Sequence, residues 1–498
     1  MPDWLQTAKG PDPTTYALSA WLFLRLLGLI YVAAFLSLAG QIHGLAGRHG
    51  ILPAADLLAS CERLGRRRFY RVPTLCWFSA SDGFLSVLCW SGVVLALLLA
   101  FDVAPLPALI CLWVLYLSLF RVCSLFLSYQ WDVLLLETGF LAIFLAPPEL
   151  APQFPPMRAP PLIIVWALWW LLFRLMFSSA VVKLRSGDPA WRKLTALRNH
   201  YETQPLPTRL AWHIHKFPLG FHKASAVFMF AIELVVPFFI AGPDAARHVA
   251  AAGFVLLMIL IEATGNYCFF NLLGIALSVL LIEDRALAGL LGRLFPFLPA
   301  YWAAPSAPLR WICLAVVLLV FILSVEPALR LFRVGFTWPK PLARFIAALA
   351  PFHLVSSYRL FALMTSERPE IIVEGSNDGV EWLAYEFNCK PGEPKRAPRF
   401  VAPHQPRLDW QMWFAALGYF EANPWFFRFL MRLLEGSAPV LGLLKENPFP
   451  AGPPRFVRGV VYDYRFTTRA ERWMAGAWWK RERRGLYSPI VERGERGM

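Results

Sequence analysis

Lys183 closes an apolar run that starts near residue 162, and two carboxylates, Glu233 and Glu262, stand deep in later apolar runs. A lysine at the edge of a water-poor environment with a carboxylate in reach is the combination that general-base chemistry recruits. Lys183, Glu233 and Glu262 are therefore the candidates for catalysis, if any occurs. Arg25, Arg121, Asp132, Glu137, Arg174 and Glu326 also fall within or at the ends of apolar runs. Each such charge costs about 2.5–3.5 kcal/mol to insert, so it must pair, line a polar cavity or reach the interface. By depth, Glu137, Arg174, Glu233 and Glu262 should face the interior, as mutual pairs or around a cavity. Arg121 and Asp132, nearer the ends, should snorkel or sit at the interface.

Four histidines, His200, His213, His215 and His222, fall close together. His213 and His215 are two apart and point to different faces of a helix, and no cysteine or acidic triad joins them, so no metal is expected. There is no HExxH, GxSxG or GxxxxGK[ST], so metalloprotease, serine hydrolase and P-loop chemistry lack their parts and no cofactor is expected. Most of the eight cysteines lie inside apolar runs and none forms a CxxC, which speaks against a disulfide framework or a thiol exchanger. The run from His404 to Gln411 is a polar, proline-punctuated loop leading into an aromatic helix. His404, Gln405, Arg407, Asp409, Trp410 and Trp413 are the candidates for holding a partner. Trp410 and Trp413 share a helix face, which equally suits the domain's own core or the membrane interface.

The elements that position these residues follow from composition. A chain of 498 residues that is 57% hydrophobic and 16% charged has more apolar surface than a soluble protein hides. About 20 apolar residues make a helical span. Candidates run over 17–40, 84–102, 106–127, 131–147, 162–183, 224–241, 249–282 and 309–332, the seventh long enough to break in two near Gly265, Asn266 and Asn271. That gives eight or nine transmembrane helices. The opening residues, with Pro2, Pro11 and Pro13, lack the pattern of a cleaved leader, so the first run is expected to be retained. Two polar connections, 41–83 and 184–223, are rich in arginine and lysine and should share the cytoplasmic side. With nine spans the tail joins them there; with eight it lies opposite.

From about Trp338 the period changes. Residues 370–375 and 382–387 alternate around Ser376-Asn377-Asp378-Gly379, which predicts a hairpin. A strand-like pair is expected at 456–467 and helix over 408–434. The expected organisation is a transmembrane helical domain over 1–337 and a soluble α+β or β-sandwich-like domain over 338–498. The net charge of +15 gathers beside the spans, where anionic headgroups attract it, so membrane lipid rather than nucleic acid is the expected partner.

Several long phrases resemble lipase maturation factors: Gln41 to Ala54, Leu134 to Pro147, Leu171 to Leu197, His200 to His215, Gly265 to Leu273, and in the tail RPEIIVEGSNDGVEWLAYEF and FVAPHQPRLDWQMWFAAL. They occur in the family's order over nearly the whole chain. The resemblance implies a chaperone-like membrane protein without bond-making chemistry, whose animal members act in the endoplasmic reticulum to help secreted lipases fold and assemble, the C-terminal domain touching the client. The abundance of arginine, alanine and proline reads as a bacterial-type member, for which the inner membrane is expected. A looser similarity, carried by Lys183 and Trp191, is to the membrane module of vitamin K-dependent gamma-carboxylase. It implies an alternative, an intramembrane enzyme using Lys183 as base.

Overall fold

The computed structural model describes residues 15–494 apart from 155, 157, 292–302 and 360. The readings on Pro2, Pro11 and Pro13 lie outside them. Among the described residues seven helices are long and apolar enough to cross a membrane: α1 (Ala17–Ala39), α2 (Asp82–Ala100), α3 (Pro105–Val122), α5 (Leu162–Arg185), α6 (Leu219–Ala241), α7 (Asp244–Thr264) and α9 (Ala307–Leu331). Two shorter helices complete the bundle, α4 (Gln130–Ile143) and α8 (Phe270–Val279). The 14 residues of α4 rise only about 21 Å. Most of them are buried, so α4 packs on protein and need not match the thickness of a bilayer. The run over 249–282 breaks where expected, between Gly265 and Phe269, and Asn271 falls in the first turn of α8.

Contacts fix which end of each helix lies on which face. Asp102, in the α2–α3 turn, pairs with Arg25 of α1 and accepts from the Gln153 amide in the α4–α5 connection at 3.0 Å. Asp284, beyond α8, accepts from the first amides of α1, Ala17 and Leu18, at 2.7 and 2.9 Å. These residues define one end of the bundle. The other end carries residues 37–50, 126–132, 202–206 and 266, all bonded to the C-terminal domain. Among the described residues, nine traverses of the bundle, seven by long helices and α4 and α8 for the remaining two, satisfy both sets of contacts. The C-terminal domain, loop 41–83 and loop 184–223 therefore share one side.

After α10 (Lys340–Leu349), an amphipathic helix with no buried residue and the pattern of one lying in an interface plane, the chain builds an antiparallel sheet in the order β3-β2-β1-β4-β5. Its strands are β1 (Arg368–Ser376), β2 (Leu383–Phe387), β3 (Leu444–Glu446), β4 (Phe456–Phe466) and β5 (Trp479–Leu486), with β6 (Val491–Glu492) also on β4. The predicted hairpin is β1–β2, closed by Gly379 at φ +76°, a conformation that favours glycine. Residues 456–466 are one long strand rather than a pair. Its partners are β1 and β5, and β5 (WKRERRGL) escapes prediction because an exposed edge strand carries charge where a buried one would carry apolar residues. The predicted helix over 408–434 is two, α11 (Arg407–Ala416) and α12 (Pro424–Leu434), divided at Gly418 and Pro424. Every cysteine in the described residues is free.

Candidate functional site

Three helices present one stripe each to a common space. On α5 the stripe is Met176, Ser179 and Lys183; on α6, Ser225, Met229 and Glu233; on α7, Leu257, Ile261 and Thr264. Spacings of three and four put each set on one helix face. The cavity between them measures about 220 Å³. Lys183 Nζ donates to both carboxylate oxygens of Glu233 at 2.7 and 2.6 Å, with both side chains about nine-tenths or more buried. The indole of Trp191 lies 5.6 Å from the ammonium.

Local sequence explains why Glu233 points here. Residues Ala231–Val235 form a π turn, followed by a 3₁₀ segment, Val236–Ala241. Pro237 has no N–H to offer the Glu233 carbonyl, so α-helical bonding fails at this turn and the backbone widens. On α5, the Ser186 hydroxyl donates to the Lys183 carbonyl at 2.7 Å. Asp188 accepts from the Ala190 and Met364 amides at 2.8 and 2.7 Å, and the Trp191 indole donates to the Phe361 carbonyl at 3.1 Å. The tryptophan is thus held in place over the lysine.

A polar chain lines the cavity end that meets loop 184–223. Tyr267 donates its hydroxyl to Gln204 at 2.7 Å, which leaves His200 Nε2–H to donate to the Tyr267 oxygen at 3.2 Å. Burial, reinforced by the Lys183 charge, pushes His200 down to about 4, and burial does the same to His215 and His353. Below the ordinary histidine value the unfolded chain takes up protons that the folded chain refuses, so their contribution is present above pH ~6.5 and is lost as pH falls toward 4. Burial raises Glu202, which acts in the opposite sense over the carboxylate range. The unfolding temperature of the detergent-purified protein is expected to fall between pH 6.5 and 4. His200→Gln, which keeps a donor for Tyr267 and removes the titration, should flatten that slope; an unchanged slope would remove His200 from the account.

Glu262 stands outside this group: it accepts from Asn271 at 2.6 Å and remains half-exposed. Glu137 and Arg174 do face the interior as a pair, with Tyr358 and the Ser356 amide donating to Glu137 at 2.7 and 2.9 Å. Asp132 corrects the expectation of an interfacial charge. It is fully buried and receives both terminal nitrogens of Arg407 at 2.7 and 2.8 Å and the Tyr116 hydroxyl at 2.6 Å. Of the four loop histidines, His215 stands 4.0 Å from a Glu202 oxygen, but among the described residues no group of three or more His, Cys, Asp or Glu could hold a metal.

The partner-binding candidates lie between the bundle and the sheet domain. His404 contacts the Ser37 hydroxyl at 2.9 Å, the Gln405 amide donates to the same hydroxyl at 2.9 Å, and Gln41 bridges the Gln405 carbonyl and the Arg407 amide at 2.7 and 2.9 Å. Asp409 accepts from the Cys389 and Lys390 amides at 2.7 and 2.8 Å. Trp413 donates to the Thr203 carbonyl at 2.9 Å, and Trp410 packs edge-on against Trp131 at 4.8 Å. All but His404 are buried, and their bonds run to this chain's own residues.

Sequence reasoning missed two further anchors of this seam. Asn266 donates to the Leu206 and Arg399 carbonyls at 3.0 and 2.8 Å and accepts from the Val401 and Ala402 amides. Arg368, wholly buried, donates to the carbonyls of Glu202, Gln204 and Pro205. The only signal available was an asparagine in an apolar run and an arginine opening a strand. Gly44 adds a third: a Cβ there would stand 2.4 Å from the Pro439 carbonyl, so only glycine lets loop 41–83 approach the sheet domain this closely.

Residues 18–289 match the model of the lipase maturation factor transmembrane domain, and residues 354–489 that of the lipase maturation factor C-terminal domain. Among similar proteins, lipase maturation factor 2 of Gallus gallus is 36% identical, over 95% of this chain and 81% of its own length. Lipase maturation factor 2 of Homo sapiens is also 36% identical, over 95% and 82%. Lipase maturation factor 1 of Bos taurus is 35% identical, over 96% and 90%. No solved structure matches the chain.

Proposed function

We propose that this chain, which belongs to the lipase maturation factor family, acts as a folding and assembly factor for exported proteins such as lipases. The observation that carries the proposal is how the sheet domain is held. Ion pairs and hydrogen bonds from several helices and loops at one end of the bundle clamp it in one orientation, which suits a fixed platform better than a tethered, mobile module. His404, Gln405, Arg407, Asp409, Trp410 and Trp413 then serve a client indirectly, by setting that platform. Direct contact is proposed at Trp473 and Met474, adjacent on an outlying helix and 89% and 76% exposed, a rigid aromatic beside an adaptable thioether.

The alternative, base catalysis by Lys183, has one observation in its favour, the cavity that reaches it. Against it, both carboxylate oxygens of Glu233 engage the amine, and a base would first have to leave that pair.

The test is the specific activity of an exported lipase in cells that express or lack this chain. Loss of lipase activity without loss of lipase message is expected on deletion, with rescue by the wild-type chain and weaker rescue by Trp473→Glu. Unchanged lipase activity in the deletion strain overturns the proposal. Topology supplies a second check. Loop charge alone favours a cytoplasmic sheet domain, and the proposal requires the opposite orientation. Contact with an already exported client needs the sheet domain on the far side. A reporter active only outside the cytoplasm, fused after Met498, is expected to work; a fusion active only in the cytoplasm rules that contact out.

A further inference from the structure

The cavity around Lys183 and Glu233 is open where lipid would be. Phe228 of α6 and Leu260 of α7, which line it, are 41% and 46% exposed on the outer side of the bundle. Its volume of about 220 Å³ exceeds the roughly 150 Å³ of apolar space that suffices to hold a benzene ring. Most of its wall is hydrocarbon or aromatic. The polar groups gather at one end, where α5 terminates and loop 184–223 begins, so the polar end lies at the depth of a lipid's head and the apolar opening lies toward the acyl chains.

Two features specify the head. Trp131 lines the cavity and is buried, and its indole N–H has no acceptor among the described residues. A buried donor left unpaired is costly; the nitrogen presents no surface to the cavity as it stands, and a small turn of the ring that brings it to a ligand's oxygen acceptor is favoured. The fixed charges, in contrast, already cancel: Lys183 and Glu233 form a closed pair, and an additional anion would meet the Glu233 carboxylate without a free cation to oppose it. The Glu233 oxygens still have lone pairs for a hydroxyl donor. We infer that the cavity binds a neutral lipid bearing both an ester carbonyl and a hydroxyl, of the monoacylglycerol or diacylglycerol class, entering sideways between α6 and α7. The site is independent of the maturation reading and stands or falls without it.

The experiment uses the full chain in lipid nanodiscs with a photoreactive monoacylglycerol carrying a diazirine in its acyl chain. Crosslinks are expected on the cavity-facing stripes of α5, α6 and α7, and excess unlabelled monoacylglycerol should displace them while equimolar oleate or phosphatidylcholine does not. Trp131→Phe, which keeps the ring and removes the donor, is expected to weaken labelling roughly three- to tenfold. Ser225→Trp, a half-exposed position on the α6 stripe, should block entry and abolish labelling without altering the unfolding temperature by more than a few degrees. Labelling spread equally over the outer faces of α2 and α9, labelling indifferent to both substitutions, or displacement by oleate as strong as by monoacylglycerol each overturns the inference.

Discussion

Arg407→Ala is expected to cost the fold about 3–5 kcal/mol, the range found when one partner of a buried ion pair is removed. The reason is what it leaves behind. Asp132 remains at the centre of the seam, wholly buried, with the Tyr116 hydroxyl and the Tyr129 amide as its remaining donors. The Phe126 carbonyl loses its Arg407 donor as well. Arg407→Lys should restore only part of the loss, because an ammonium cannot present two parallel N–H bonds to the carboxylate while also reaching Phe126. Asp132→Asn combined with Arg407→Leu should recover most of it, since no unpaired charge remains. The measurement is thermal unfolding in detergent together with limited proteolysis of the segment between α10 and β1. Arg407→Ala is expected to release the sheet domain as a fragment at protease levels that leave the wild type whole. If the unfolding temperature and the cleavage pattern stay where they are, the pair does not clamp the domain and the fixed-platform argument fails.

This seam also marks where the sequence stops being informative. The spans are legible because hydrophobic length is a local property, and the break after Thr264 is legible because Gly265 and Asn266 interrupt it locally. The number of traverses needed more. Helix α4 was expected from the apolar run over 131–147, but its 14 helical residues are short for a span, and it is the contacts at its two ends that show the chain passing through there. Asp132 looked interfacial because it opens an apolar run, yet its partner is 275 residues away, and periodicity carries no information about a pairing at that distance. The polar loop at His404–Gln411 was visible as an anomaly among apolar neighbours. Its chemistry, a set of donors and acceptors with too little water to satisfy them, was readable; which surface would satisfy them was not. Strand β5 was invisible for the opposite reason, since its unbroken run of charges from Lys480 to Arg484 imitates a solvated loop.

The same logic makes Lys183 and Glu233 the second large effect. Lys183→Met alone is expected to destabilise by about 3–5 kcal/mol, because it strands the Glu233 carboxylate in the π turn of a membrane helix. Glu233→Leu alone strands the ammonium, with only the face of Trp191 to receive it. The two together remove both charges from a site walled mostly by apolar groups, and the double variant should lie within about 1 kcal/mol of the wild type or above it. A thermodynamic cycle over the four proteins would then give a coupling energy nearly as large as either single loss. Additive losses would instead mean that each charge has its own solvation and that the cavity is wet, which is the environment the base-catalysis reading requires. The double variant also separates stability from binding. It should fold, yet photolabel poorly, because a leucine at position 233 offers a lipid hydroxyl no acceptor. A double variant that folds and still labels at full strength would leave the Trp131 indole to specify the head alone, and would assign the ion pair a purely structural part: joining α5 to α6 at the point where α6 departs from α-helical geometry.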